Sequence, residues 1–93
     1  MDTIRKPIIA GTWYPADPAQ LRADIEGYLA DARVDTINGK VIGVISPHAG
    51  YLYSGQVAAH AYKIAQGSEF DAVILIGPSH RAYFKGASIY NGE

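Results

Sequence analysis

The sequence predicts an α/β fold: a parallel βαβ core with flanking helices, incomplete as it stands. Three observations predict it. Two short apolar runs without alternation, Lys40-Val41-Ile42-Gly43-Val44-Ile45 and Asp71-Ala72-Val73-Ile74-Leu75-Ile76, read as strands buried on both faces. Between them, from Ser54 to Gln66, the pattern turns helical, with Val57, Ala61 and Ile64 on one side and Gln56, Lys63 and Gln66 off it. Strand, helix and strand of these lengths make a right-handed crossover between parallel neighbours.

In chain order, residues 1–16 form an arm, polar and loose over Met1 to Lys6. The arm continues as an irregular apolar stretch between Pro7 and Pro15, anchored by Trp13. A helix is expected over 17–34. Asp17 can cap its free amides, Pro18 suits the first helical position, and Gln20 can complete a capping box. Leu21, Ile25, Tyr28, Leu29 and Ala32 make its apolar stripe. The βαβ core with its loops occupies 40–90, after an Asn38-Gly39 turn, with Gly67 stopping its helix and Ala87-Ser88-Ile89-Tyr90 opening a third strand. Two doubly buried strands and two helices cannot cover both faces of an open parallel sheet. Either the chain is part of a longer one, which is the expectation, or another copy completes it as a homo-oligomer.

Composition narrows the function. The 93 residues suit one domain at most, and the net charge of −1 provides no broad attraction to nucleic acid or an anionic membrane. There is no cysteine, hence no disulfide and no thiolate ligand from this segment. No signal peptide and no apolar run near the ~20 residues of a membrane span appear, so a cytoplasmic location is expected. Seven tyrosines, many beside glycine-rich loops, suggest a binding surface.

Each apolar run ends in a proline and a histidine: Ser46-Pro47-His48-Ala49-Gly50-Tyr51-Leu52-Tyr53-Ser54-Gly55 and Gly77-Pro78-Ser79-His80-Arg81. In open α/β sheets ligands sit beyond the carboxyl ends of the strands. Neighbouring strands ~4.8 Å apart would bring His48 and His80 together as half of a metal site. Taken singly, either is more simply a solvated or structural loop histidine; the matched placements argue otherwise. Two imidazoles with further ligands and open positions suit non-haem iron. Gly50 and Gly55 allow close approach of a bound group, and the amides opening the helix near Ser54 suit an anion. Tyr51 and Tyr53, on the same loop, are placed to face a ligand. His60, on the flank of the helix, is a boundary residue outside the site. Gln56-Val57 stands where a phosphate-binding loop needs Lys and Ser or Thr, and neither a dinucleotide fingerprint nor a Gly-x-Ser-x-Gly elbow occurs.

Ala10-Gly11-Thr12-Trp13-Tyr14-Pro15, then Pro47 to Gly55, then Gly77-Pro78-Ser79-His80 resemble, in order and spacing, the N-terminal part of the Memo family. That family includes the AmmeMemoRadiSam system protein B proteins of bacteria and archaea. The resemblance covers nearly the whole chain and implies the N-terminal portion of a single Memo-like domain, with the α/β fold of class III extradiol ring-cleavage dioxygenases. It also implies that His48 and His80 line a metal-type site, completed in the family by a later histidine and cysteine. Trp13 and Tyr53 match aromatic residues of the same pocket. The eukaryotic member is linked to phosphotyrosine peptides and cell motility, with copper or iron proposed as its metal.

The expectation is therefore a metal-dependent, dioxygenase-like redox site using iron or copper. His48 and His80 would be its ligands and catalytic residues, and Trp13, Tyr51 and Tyr53 would wall in a small-molecule substrate. The alternative is a non-catalytic module that takes phosphorylated or acidic peptides in the same pocket.

Overall fold

A computed structural model describes residues 4–92; the first half of the loose start expected at Met1 to Lys6, residues 1–3, lies outside them. The chain divides into two compact units. One is Ile8–Ser68, and the other joins the residues up to Pro7 with Glu69 and beyond.

In the first unit, residues 9–14 fold into a tight turn. The amides of Thr12 and Trp13 donate to Ile9 O at 3.2 and 3.0 Å, and that of Gly11 donates to Tyr14 O at 2.7 Å. Gly11 takes φ = +86°, a left-handed conformation that favours glycine. Helix α1 follows over Pro18–Asp31, with Pro18 in its first turn and Asp17 as N-cap, accepting from Gln20 N at 2.9 Å. Gln20 does not close a capping box. Its side-chain amide donates down the helix to Asp24 Oδ1 at 2.6 Å.

Helix α2 spans Tyr51–Ala65, three residues longer at its start than the pattern from Ser54 predicts. Gly50 is its N-cap and offers no side chain to announce it. Ser54 is already inside the helix and its hydroxyl donates back to Ala49 O at 3.1 Å. Beyond the C-cap Gln66, Gly67 turns the chain at φ = +84°, the stop that its position predicts.

The helices pack on each other, and the contacting face of α2 is not the predicted Val57 stripe, since Val57 is exposed. Polar side chains make the join. Gln56 Nε2 donates to Tyr28 O at 2.9 Å, and Lys63 Nζ donates to Leu29 O and Ala32 O at 2.8 and 3.0 Å. His60 accepts from Arg33 N on Nε2 at 3.4 Å, so Nδ1 carries the hydrogen and donates to Gln56 O at 2.8 Å. These groups meet backbone groups at the end of α1. Lys63 and His60 take up Leu29 O, Ala32 O and the Arg33 amide. Gln56 adds a second donor to Tyr28 O, which also accepts from Ala32 N at 3.1 Å. Ala32, the C-cap of α1, and Ala59 on α2 are the buried apolar residues among those described, and both are small.

The parallel βαβ core is not present. Among the described residues there are two helices, no strand, and one isolated bridge between Ala10 and Tyr14. The apolar runs predicted as strands are open to solvent, Ile45 at 100% and Ile76 at 93% exposure. The third run, at 87–90, is not a strand either. The physical reason lies in the strand pattern itself: runs apolar on both faces need a covering layer on each side. The helix pair spends its contact face on itself. No helix among the described residues is long and apolar enough to cross a membrane.

Candidate functional site

A cavity of about 520 Å³ lies within the first unit. The arm contributes Ile9, Trp13 and Tyr14, α1 contributes Ile25, Tyr28 and Leu29, and the loop before α2 contributes Pro47, His48 and Ala49. One side of α2, from Tyr51 through Ser54, Gly55, Ala58 and Ala59 to Tyr62, closes the wall. Each part is there for a local reason. The turn at 9–14 presents Trp13, whose carbonyl accepts from Tyr51 N at 2.8 Å. Pro47 and the N-cap Gly50 bracket His48 between the apolar run and the helix. The inner stripe of α1 places Tyr28 against the first turns of α2, where its hydroxyl donates to Tyr51 O at 3.3 Å.

Of the residues singled out in the sequence, His48, Trp13 and Tyr51 come together around this cavity. His48 is exposed and Trp13 is 48% exposed, so both stand at an open edge. Tyr51 stacks obliquely on Tyr14, with ring centroids 5.5 Å apart and planes at 39°. Tyr51 and Tyr53 lie not on a loop but in the first turn of α2; Tyr53 is 83% exposed and is not among the cavity's lining residues. His80 belongs to the second unit, where it is exposed beside a turn in which Ser79 Oγ donates to Ala82 O at 2.6 Å. His60 serves in the join between the helices.

Sequence reasoning missed Tyr14, Tyr28 and Tyr62 as cavity residues. Tyr28 had a usable signal, since it lies on the inner stripe of α1 facing the next helix. Tyr62 had none, because the stripe chosen for α2 was the wrong one.

Apart from Ser54, the lining side chains are apolar or aromatic, with no Lys, Arg, Asp or Glu among them. His48 is the one strong metal donor in that lining. Among the described residues, no three of His, Cys, Asp and Glu gather closely enough to hold a metal ion. The donor set is therefore short of a whole coordination sphere, and no reaction step can be routed through a metal on these residues alone.

A model of Memo-like proteins matches residues 5–93, and the chain belongs to the Memo family. It is similar to Protein MEMO1 of Danio rerio, at 48% identity over 71 residues, 76% of this chain and 23% of that protein. It is also similar to a MEMO1 family protein of Metallosphaera sedula, at 40% identity over 98 residues, 95% of this chain and 34% of the relative. A MEMO1 family protein of Methanopyrus kandleri is 42% identical over 84 residues, 82% of this chain and 30% of the relative. The chain thus spans between 23% and 34% of the length of these relatives. No solved structure matches it.

Proposed function

We propose that this chain supplies part of a metal-dependent, dioxygenase-like redox site, with iron or copper as the metal. His48 and His80 are its imidazole ligands, and Trp13 and Tyr51 wall the substrate cavity, with Tyr53 beside them on the first turn of α2. The observation that supports the reading best is His48 at the edge of an aromatic cavity whose volume falls in the range of small-molecule sites, roughly 300–1,000 Å³. An apolar lining of this kind favours an uncharged, hydrophobic substrate. The ligands still needed would come from outside these residues.

The rival reading, a module for phosphorylated or acidic peptides, has less support. A phosphate is ordinarily met by arginine or lysine, and the cavity lining contains neither.

Equilibrium dialysis against Fe(II) or Cu(II), read by elemental analysis, tests the proposal. His48→Ala and His80→Ala are each expected to lower bound metal by about tenfold or more, the scale on which losing a supporting group weakens a site. Equal retention by the parent and both variants rejects it. Metal-independent binding of a phosphotyrosine peptide would favour the rival.

A further inference from the structure

The backbone of Tyr51 is held from two sides. Its N–H donates to Trp13 O on the arm at 2.8 Å, and its C=O accepts from the Tyr28 hydroxyl of α1 at 3.3 Å. Arm, α1 and α2 are thus joined at the backbone of one residue. The Tyr28 ring reaches it by lying against Gly55. A Cβ built on Gly55 would stand 2.8 Å from Tyr28 Cε2, closer than real Cβ atoms approach, and 3.1 Å from Cζ and 3.3 Å from Cδ2, both tight. The first turn of α2 then passes the constraint back toward His48. The Ser54 hydroxyl and the Ser54 and Tyr53 amides bind Ala49 O and Gly50 O at 2.9–3.1 Å.

We propose that Tyr28 is a positioning residue of the cavity, and that the bare backbone at Gly55 is the seat that allows it. Through the Tyr51 backbone it fixes the spacing between Trp13 on the arm and His48 ahead of α2. Tyr28 also lines the cavity, but the proposed role runs through the residues it holds. The same arrangement accounts for a glycine in the interior of a helix, where it costs about 1 kcal/mol relative to alanine. Its consequence for metal binding rests on the reading of the cavity as the ligand site; its geometry does not, and the test separates the two.

Trp13 is the single tryptophan, so its fluorescence reports the junction directly. Acrylamide quenching of metal-free protein is compared among the parent, Gly55→Ala, Tyr28→Phe and Lys63→Met. Since Trp13 is 48% exposed, full release raises its quenching constant by at most about twofold. Gly55→Ala is expected to approach that limit by displacing the ring. Tyr28→Phe, which removes only the hydroxyl, moves it in the same direction by less. Lys63→Met loosens the far end of the helix pair and leaves Trp13 unchanged. Unchanged quenching in both cavity variants, with helix content retained by circular dichroism, overturns the proposal; so does an equal rise in Lys63→Met. Should Gly55→Ala fail to fold, Tyr28→Phe decides. Cu(II) titration then adds a second readout. If the parent binds no copper while Gly55→Ala still releases Trp13, the metal reading fails and the positioning role stands. If copper binding depends on His48 yet Gly55→Ala alters neither it nor Trp13, the positioning role fails.

Discussion

Residues 41–65 and 73–92 begin alike and end differently. Each opens with a β-branched apolar run, passes through a proline and reaches a histidine, His48 or His80. After His48 the chain enters a 15-residue helix that packs on α1 and closes a cavity. After His80, among the described residues, no helix or strand follows. The motif alone therefore does not build a site. What distinguishes the first copy is a downstream segment with helical periodicity and a neighbour whose end carries backbone groups for it to meet. An isolated helix of 14 or 15 residues is marginal in water, so that neighbour decides the outcome.

Amide hydrogen exchange offers the broadest way to break this comparison. Amides within α1 and α2 are expected to exchange at least about a hundredfold more slowly than those of residues 73–92, where no regular element holds them. Comparable protection in both regions would show that the two histidine segments are equally built, and the contrast would be lost.

A glycine substitution in each segment sharpens the same point. Gly55→Val sets a branched side chain against a tyrosine ring already within 2.8 Å of the first added carbon. Overpacking of this kind costs about 1–3 kcal/mol, and valine brings no helix propensity comparable to alanine's to offset it. Gly77→Val, three residues ahead of His80 in the second segment, sets its first added carbon where nothing lies within 4 Å. Thermal denaturation should therefore show a clear loss for the first and almost none for the second. Equal losses would mean that Tyr28 does not occupy the Gly55 seat.

These contrasts explain how far the sequence could be read. Helix α1 was legible because its signals are local: Asp17 and Pro18 mark its start, and Leu21, Tyr28, Leu29 and Ala32 make its less exposed stripe. The start of α2 was not, because its N-cap Gly50 resembles a loop glycine and Tyr51 to Tyr53 resemble loop aromatics. Its packing face was misjudged because Gln56, His60 and Lys63 are polar, and only the backbone groups at the end of α1 make that face a contact. The strands at 40–45 and 71–76 fail for a deeper reason. Strand pairing is non-local, and an apolar run records that a segment can be buried without supplying the layers that would bury it. Of the residues around the cavity, His48 and Tyr51 were legible from their places just past an apolar run and Trp13 through the family resemblance, whereas Tyr28 needed the geometry.

The polar join between the helices gives a smaller, measurable effect. Lys63→Met retains the aliphatic stem and removes the ammonium that meets Leu29 O and Ala32 O. A cation at a helix C-terminus contributes about 0.3–1 kcal/mol, and up to ~2 when partly buried. For a chain of this size that corresponds to a fall in Tm of several degrees, about 4–8 °C per kcal/mol. Arg81→Met, in the second histidine segment, should leave Tm unchanged. A loss of similar size from Arg81→Met would place equal weight on both regions.

The smallest effect belongs to the surface of α1, and it separates packing from charge as the origin of the difference between the regions. Arg22 and Glu26 form an i,i+4 pair at 4.0 Å, with side chains 79% and 68% exposed. Such a pair is screened by water and salt and must hold two long side chains in one geometry, so it contributes at most about 0.5 kcal/mol. Glu26→Gln should shift Tm by no more than a degree or two and leave Trp13 quenching untouched, at low and high salt alike. A salt-dependent loss as large as that of Lys63→Met would mean that α1 stands by its own surface charges. The contact with α2 would then not be what sets the first histidine segment apart.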